Sequence, residues 1–152
     1  MRFGKSISLA LLAVVLPSLA GCTRHSKNEH YYLVATNTAV PYWKAAAAGF
    51  AAAGVEYAVT VDTRGPAGLN PQAEVDEFRA MVARKPAGIL VSVANSKLMT
   101  PEIDAAIAAG IPVITMDSDA PESKRLYFIG TNNREAGRLG GHGSDSVERS
   151  TA

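Results

Sequence analysis

The chain has 152 residues, with 15 basic and 14 acidic side chains, a formal net charge of +1 and a single cysteine. So even a balance leaves no basic stripe to draw nucleic acid, and one cysteine excludes an intramolecular disulfide, so the fold must rest on its core. The length is enough for one domain with a real core.

Arg2 and Lys5 open the chain, residues 7–16 form an almost unbroken apolar run, and Pro17 breaks it. The run is about ten residues long, whereas a helix needs about 20 to cross a bilayer, so it reads as an export signal and not as a span. Behind it come Leu19, Ala20, Gly21 and Cys22, a string that resembles the lipobox of bacterial lipoproteins. The resemblance implies cleavage before Cys22, a diacylglycerol on its sulfur and a lipid anchor to the membrane; two or three acyl chains hold stably where one holds marginally. The other reading, an ordinary secretory signal with an incidental Cys22, stays open. Removal of residues 1–21 takes away two positive charges and leaves a net charge of about −1. Residues 22–30 are short, polar and charged, as suits a tether. His25 and His30 lie in or beside it and His142 lies far off in a polar tail, so neither a metal site nor a cofactor is expected.

From Tyr31 the chain alternates two kinds of segment. Short apolar runs with β-branched or aromatic residues predict strands over 31–36, 55–61, 88–93, 112–116 and 126–129. Three helices fall between the first four. The first, 41–53, is alanine-rich, with Gly54 placed to end it. The second starts at Asn70 and Pro71, an N-cap and a first-turn proline, and buries Val75, Phe78, Met81 and Val82 on one face. The third starts in the same way at Thr100 and Pro101, places Glu102 and Asp104 against the positive end of its dipole, and stops at Gly110. This alternation predicts an α/β fold: an open, doubly wound parallel sheet of about five strands with helices on both faces.

In such sheets a ligand sits outside the carboxyl ends of the strands. Asn37 follows the first strand, Asp62 the second, Ser92 and Asn95 the third, and Asp117, Ser118 and Asp119 the fourth. Each also reads as a turn former or helix cap. Their convergence on one edge, with Tyr42 and Trp43 at the start of the first helix, suits a sugar: carboxylates and amides match its hydroxyls, and aromatic faces match its C–H patch. Trp43 equally reads as a core residue on the sheet side of its helix. No catalytic residues are expected. Gly65 with Gly68, and Gly140 with Gly141 and Gly143, do not open helices after strands, and no Ser, His and Asp arrangement presents itself.

Four segments in order carry a resemblance: NTAVPYWKAAAAGF (37–50), KPAGILVSVANS (85–96), AAGIPVITMDSDAP (108–121) and YFIGTNNREAGR (127–138). Together they resemble the periplasmic sugar-binding proteins of the ribose-binding type, the type I solute receptors of ATP-binding-cassette importers. The match covers about residues 31–139. It implies a periplasmic-binding-protein-like first lobe at 31–130, with Tyr42 and Trp43 stacking on a monosaccharide, Asn37 closing the first strand, and Asp117 accepting hydroxyl hydrogens. Many ribose-type members follow that aspartate with arginine; here Ser118 and then Asp119 stand instead, so ribose is not implied. The resemblance further implies an importer permease as partner and a place on the extracytoplasmic side of the cell envelope. Related regulators of the lac-repressor kind work in the cytoplasm, which the export signal argues against.

Family members have two lobes, and this chain resembles about the first. Residues 126–130 correspond to a crossing strand and 133–139 to the opening turns of a second-lobe helix, after which 140–152 reads as an aberrant, solvated polar tail. That pattern is expected of a truncated or frame-shifted gene, or of a deliberately short protein. A single lobe offers one wall of a sugar site, so weak or absent binding is expected; use of the lobe as a surface for an envelope or sensor partner is the alternative.

Overall fold

A computed structural model describes residues 25–150, with side chains as far as Gly141. Residues 1–21, expected to be an export signal, and the expected lipidation site Cys22 lie outside these residues. The element order is β1 (His30–Val34), α1 (Pro41–Glu56), β2 (Thr60–Arg64), α2 (Pro71–Val82), β3 (Gly88–Val91), α3 (Ser96–Ala108), β4 (Val113–Met116), β5 (Tyr127–Ile129) and α4 (Asn133–Ser150). The strands form one sheet in the order β2-β1-β3-β4-β5, and every neighbouring pair is parallel. This is the doubly wound open sheet that the alternation predicts. The chain steps outward from β1 to β2 and then returns past β1 to β3, so a crevice opens between the carboxyl ends of β1 and β3.

Successive residues of a strand point to opposite faces. On one face Tyr32, Val34, Ile89, Val91 and Val113 meet Val75, Phe78 and Met81 of α2 and Met99, Ile103 and Ala106 of α3 in one buried cluster. Full burial of a side chain such as Phe78 contributes about 1.5–3 kcal/mol. On the other face Leu33, Ala35 and Trp43 form a smaller cluster, with Phe50, Leu90 and Met116 half-buried around it.

Several element boundaries differ from the sequence-based expectation. The first helix does not stop at Gly54 but runs through it to Glu56. A Cβ at residue 54 would lie 2.7 Å from the Val61 side chain, so this glycine lets helix and strand approach closely. The strand expected over 55–61 therefore begins later, after a turn at Ala58 with φ 54°, and Thr60 takes its register from His30. The third helix begins at Ser96, because the Asn95 side chain accepts from the Leu98 N–H at 3.2 Å. Pro101 is thus inside the helix, where it forgoes one backbone hydrogen bond from an exposed position. Glu102 and Asp104 consequently miss the first turn: Glu102 takes two hydrogen bonds from Arg79 of α2, and Asp104 accepts from the Lys124 N–H. The first two helices start where expected, at Pro41 and Pro71, the second with Asn70 accepting from the Ala73 N–H at 3.0 Å.

The segment expected to break into a polar tail after Leu139 is helical to Ser150. Asn132 caps it at the Glu135 N–H, a Glu135–Arg138 ion pair supports the first turns, and no proline interrupts it. Its glycines lower helix propensity without deciding the outcome.

Candidate functional site

The carboxyl edge of the sheet is assembled by three loops. After β1, Asn37 folds back so that its Oδ1 accepts from the Ala39 N–H at 3.1 Å. The Thr38 N–H and hydroxyl both donate to the Pro66 carbonyl, at 2.9 and 3.1 Å, which ties this loop to the one after β2. Gly65 makes that junction possible: its φ is 138°, and a Cβ there would fall 2.1 Å from the Ala35 carbonyl oxygen. Pro41 then opens α1, and its first turn delivers Tyr42 outward and Trp43 inward.

After β4 the chain turns sharply at Asp117, whose φ of 66° is unusual for a residue other than glycine. Its N–H donates to the Ile129 carbonyl at 2.9 Å, so β5 holds the turn in place. This conformation aims the exposed Asp117 carboxylate at the first helix. The Tyr42 hydroxyl, 75 residues away in sequence, donates to Asp117 Oδ1 at 3.2 Å, and the Ser118 hydroxyl donates to Oδ2 at 3.2 Å. Partial burial, then the charge and hydrogen bond of Asp117, raise the Tyr42 phenol above its ordinary value. Backbone strain of this kind concentrates where a side chain must be held in one place.

The sequence-predicted residues therefore divide. Tyr42 and Asp117 meet at the edge, with Asn37 half-buried in the neighbouring loop. Trp43 is 4% exposed and packs in the core with Leu33 and Ala35, touching Tyr42 edge-on at 5.0 Å between ring centroids. Tyr42, 56% exposed, is the aromatic available at this edge. Asp119 does not join the pair. Its carboxylate takes two hydrogen bonds from the Arg125 guanidinium, one from the Thr115 hydroxyl at 2.6 Å and one from the Ala120 N–H at 2.8 Å. The Arg125 hydrogen bonds hold its carboxyl below the usual aspartate range against the opposing effect of burial. A carboxylate so fully engaged braces the β4–β5 connection.

Asp62 lies within β2 and not at its end, where it meets His30 Nε2 at 3.2 Å. Asn95 caps α3, and Ser92 is fully buried. Thr38 and Arg125 were not foreseen as parts of this edge. Nor was Glu74, although it falls four residues before Phe78 on the apolar stripe of α2, a position that signals an unusual carboxylate. It is 1% exposed, and burial pushes its carboxyl up to about 7.

Among the described residues no group of three or more His, Cys, Asp or Glu side chains is placed to hold a metal ion. An apolar hollow of about 450 Å³, lined by Tyr31, Phe50, Tyr57 and Val61, lies at the amino ends of β1 and β2. It offers little to a ligand rich in hydroxyls. The Asp117 edge instead offers carboxylate oxygens, hydroxyls and one aromatic ring, which can accept from, donate to and pack against a small polyol.

Comparison with known proteins bears on the family and the fold. A family model described as a periplasmic binding protein domain matches residues 31–143. Among solved structures, the sugar-binding protein of a sugar ABC transporter from Bacillus halodurans is 34% identical, with a TM-score of 0.75 over 80% of this chain and 42% of that one. AraP, an arabinose-binding protein from Geobacillus stearothermophilus, is 36% identical, with a TM-score of 0.73 over 81% of this chain and 42% of that one. The XylFII-LytSN complex contains a chain that is 29% identical, with a TM-score of 0.72 over 80% of this chain and 44% of that one. The chain thus spans less than half the length of these structures. A comparison with curated protein sequences finds no match.

Proposed function

The chain belongs to the periplasmic binding protein domain family, and from that premise we propose that residues 31–130 act as the first lobe of a monosaccharide receptor serving an ATP-binding-cassette importer. The observation that carries this reading is the Tyr42–Asp117 hydrogen bond at the carboxyl edge of the sheet. In the receptor, Asp117 accepts hydrogens from sugar hydroxyls, Tyr42 gives its ring to the sugar's C–H face, and Asn37 borders the same crevice. Ser118 restrains the Asp117 carboxylate from its far side. The role is binding and not catalysis. Neighbouring structures described as sugar-binding and arabinose-binding support the substrate class, and the two residues after Asp117 leave the particular sugar to experiment.

A sugar gripped by two lobes is desolvated on both sides. This lobe supplies one wall, and each neutral hydrogen bond forgone removes about 1 kcal/mol, so three or four of them lower affinity by about several hundredfold. The chain on its own accordingly binds weakly. The export signal and Cys22 support delivery to the extracytoplasmic side of the envelope with a lipid anchor. Calorimetry with arabinose, glucose and galactose tests the binding claim: weak heats abolished by Asp117→Ala are expected. A micromolar dissociation constant for any of these sugars would contradict the one-wall account, and heats unchanged by Asp117→Ala would contradict the site.

A second reading, use of the lobe as a docking surface for another envelope protein, is favoured by one feature. The edge strand β5 exposes Tyr127, Phe128 and Ile129 in succession, and a relative was solved as the XylFII-LytSN complex. Unpaired strand edges and exposed apolar rows are ready pairing surfaces. Co-purification of a partner that Ile129→Lys abolishes, with no effect of sugar, would put this reading first.

A further inference from the structure

Glu74 is placed against expectation. It stands on the core-facing stripe of α2, 1% exposed, among the residues of the larger apolar cluster. One carboxylate oxygen, Oε2, accepts from the Ala94 N–H at 3.0 Å. The other, Oε1, makes no hydrogen bond, and neither does the buried Ser92 hydroxyl two residues before Ala94. Residues 92–95 are the loop that leaves the carboxyl end of β3 and delivers the α3 cap Asn95. This loop borders the crevice between β1 and β3, and its Ser92 N–H donates to the Val34 carbonyl at the end of β1.

Of the other charged side chains on the packed elements, most are engaged with partners other than Glu74 or are exposed. On α2, Arg79 pairs with Glu102 and Asp76, Gln72 donates to Asp76, and Glu77 is half-buried. On α3, Lys97 is exposed and Asp104 accepts from the Lys124 N–H. On β1, His30 meets Asp62. Burial therefore dominates the titration of Glu74, raising its carboxyl to about 7, with the Ala94 N–H opposing.

We propose that Glu74 is a positioning residue that clamps the β3–α3 loop beside the ligand crevice, and that the protonation state of this carboxyl sets how readily the loop opens. The sign follows from linkage. Opening the loop lets water reach the carboxyl and returns it toward its ordinary value, so the open form binds the proton less tightly than the closed form. Raising the pH therefore favours opening. With a closed-form value of about 7 and an ordinary value of 4.5, the opening equilibrium rises about tenfold between pH 6 and pH 8. The loop response stands on this geometry alone; its consequence for sugar rests on the receptor reading.

The test is amide exchange on the full chain at pH 6 and pH 8, corrected for intrinsic exchange, together with a carbon-13 titration of the Glu74 carboxyl. Protection of Ala94 falling about tenfold, with amides of α1 unchanged, is the expected result. Glu74→Gln keeps an acceptor for Ala94 and cannot ionise, so its Ala94 protection is expected to be flat with pH. A wild-type carboxyl that titrates near 4.5, or Ala94 protection that does not change with pH, overturns the proposal even if the Gln variant fails to fold. A pH response that survives in folded Glu74→Gln overturns it as well. A responsive loop on a chain that is silent to every sugar counts against the receptor reading and leaves the clamp standing.

Discussion

On one face of the sheet, α2 and α3 contribute six residues to a single cluster of fourteen buried ones; on the other, α1 alone covers Leu33 and Ala35, and Leu90 and Met116 remain half-buried. The same strands feed both faces, so the difference comes from the helices and not from strand composition. The filled face holds the lobe together. The thin face carries the helix that presents Tyr42 to Asp117, and Trp43 is the anchor that fixes that helix to the sheet.

Adjacent residues of β3 give the sharpest way to break this comparison, because Ile89 points into the filled face and Leu90 into the thin one. Ile89→Ala is expected to lose about 4 kcal/mol, since a well-packed site cannot collapse around the cavity. Leu90→Ala is expected to lose about 1–2 kcal/mol, since part of that side chain already meets water. Urea unfolding of both variants measures the difference. Equal losses would mean that the two faces are equally packed.

The next largest effect concerns Glu74, the one fully buried carboxylate among the described residues. The folded Glu74 carboxyl titrates at about 7 against an ordinary 4.5, so the native state holds more protons than the unfolded state between those values. Its contribution to stability is full below about pH 4.5, declines as pH rises and levels off above about pH 7. The expected loss from pH 5 to pH 8 is about 2–3 kcal/mol, and Glu74→Gln removes the slope. A urea midpoint that stays constant over this range in the wild-type chain would falsify the assignment.

A smaller effect of opposite sign belongs to the β4–β5 connection. Hydrogen bonding from Arg125 lowers the Asp119 carboxyl, so this interaction stabilises above the ordinary aspartate range and is lost as pH falls through the folded value. Arg125→Met is expected to cost about 1–2 kcal/mol at pH 7 and less at pH 3. Thermal melts at the two pH values check it; a cost that grows on acidification would contradict the pairing.

The order of strands and helices was legible in the sequence because a parallel sheet buried on both faces demands apolar strands separated by capped helices. Boundaries were less so, for reasons that lie in tertiary contact. Gly54 looks like a helix stop until Val61 is seen beneath it, and Thr100 with Pro101 looks like a helix start until Asn95 is seen capping Leu98. At the site, the Asp117 and Tyr42 pairing was within reach of the sequence, since both fall at the carboxyl edge. The engagement of Asp119 with Arg125 was not, because nothing local distinguishes it from Asp117. The conformation at Asp117, with φ 66°, is what separates the two.

The most direct test of the account is heteronuclear NMR on the chain during titration with arabinose, glucose and galactose. The account predicts shifts at millimolar sugar that cluster on Tyr42, Asp117 and Asn37 and disappear in Asp117→Ala. Shifts confined to the apolar hollow around Tyr31 and Phe50, or none at the Asp117 edge at saturating sugar, would contradict it.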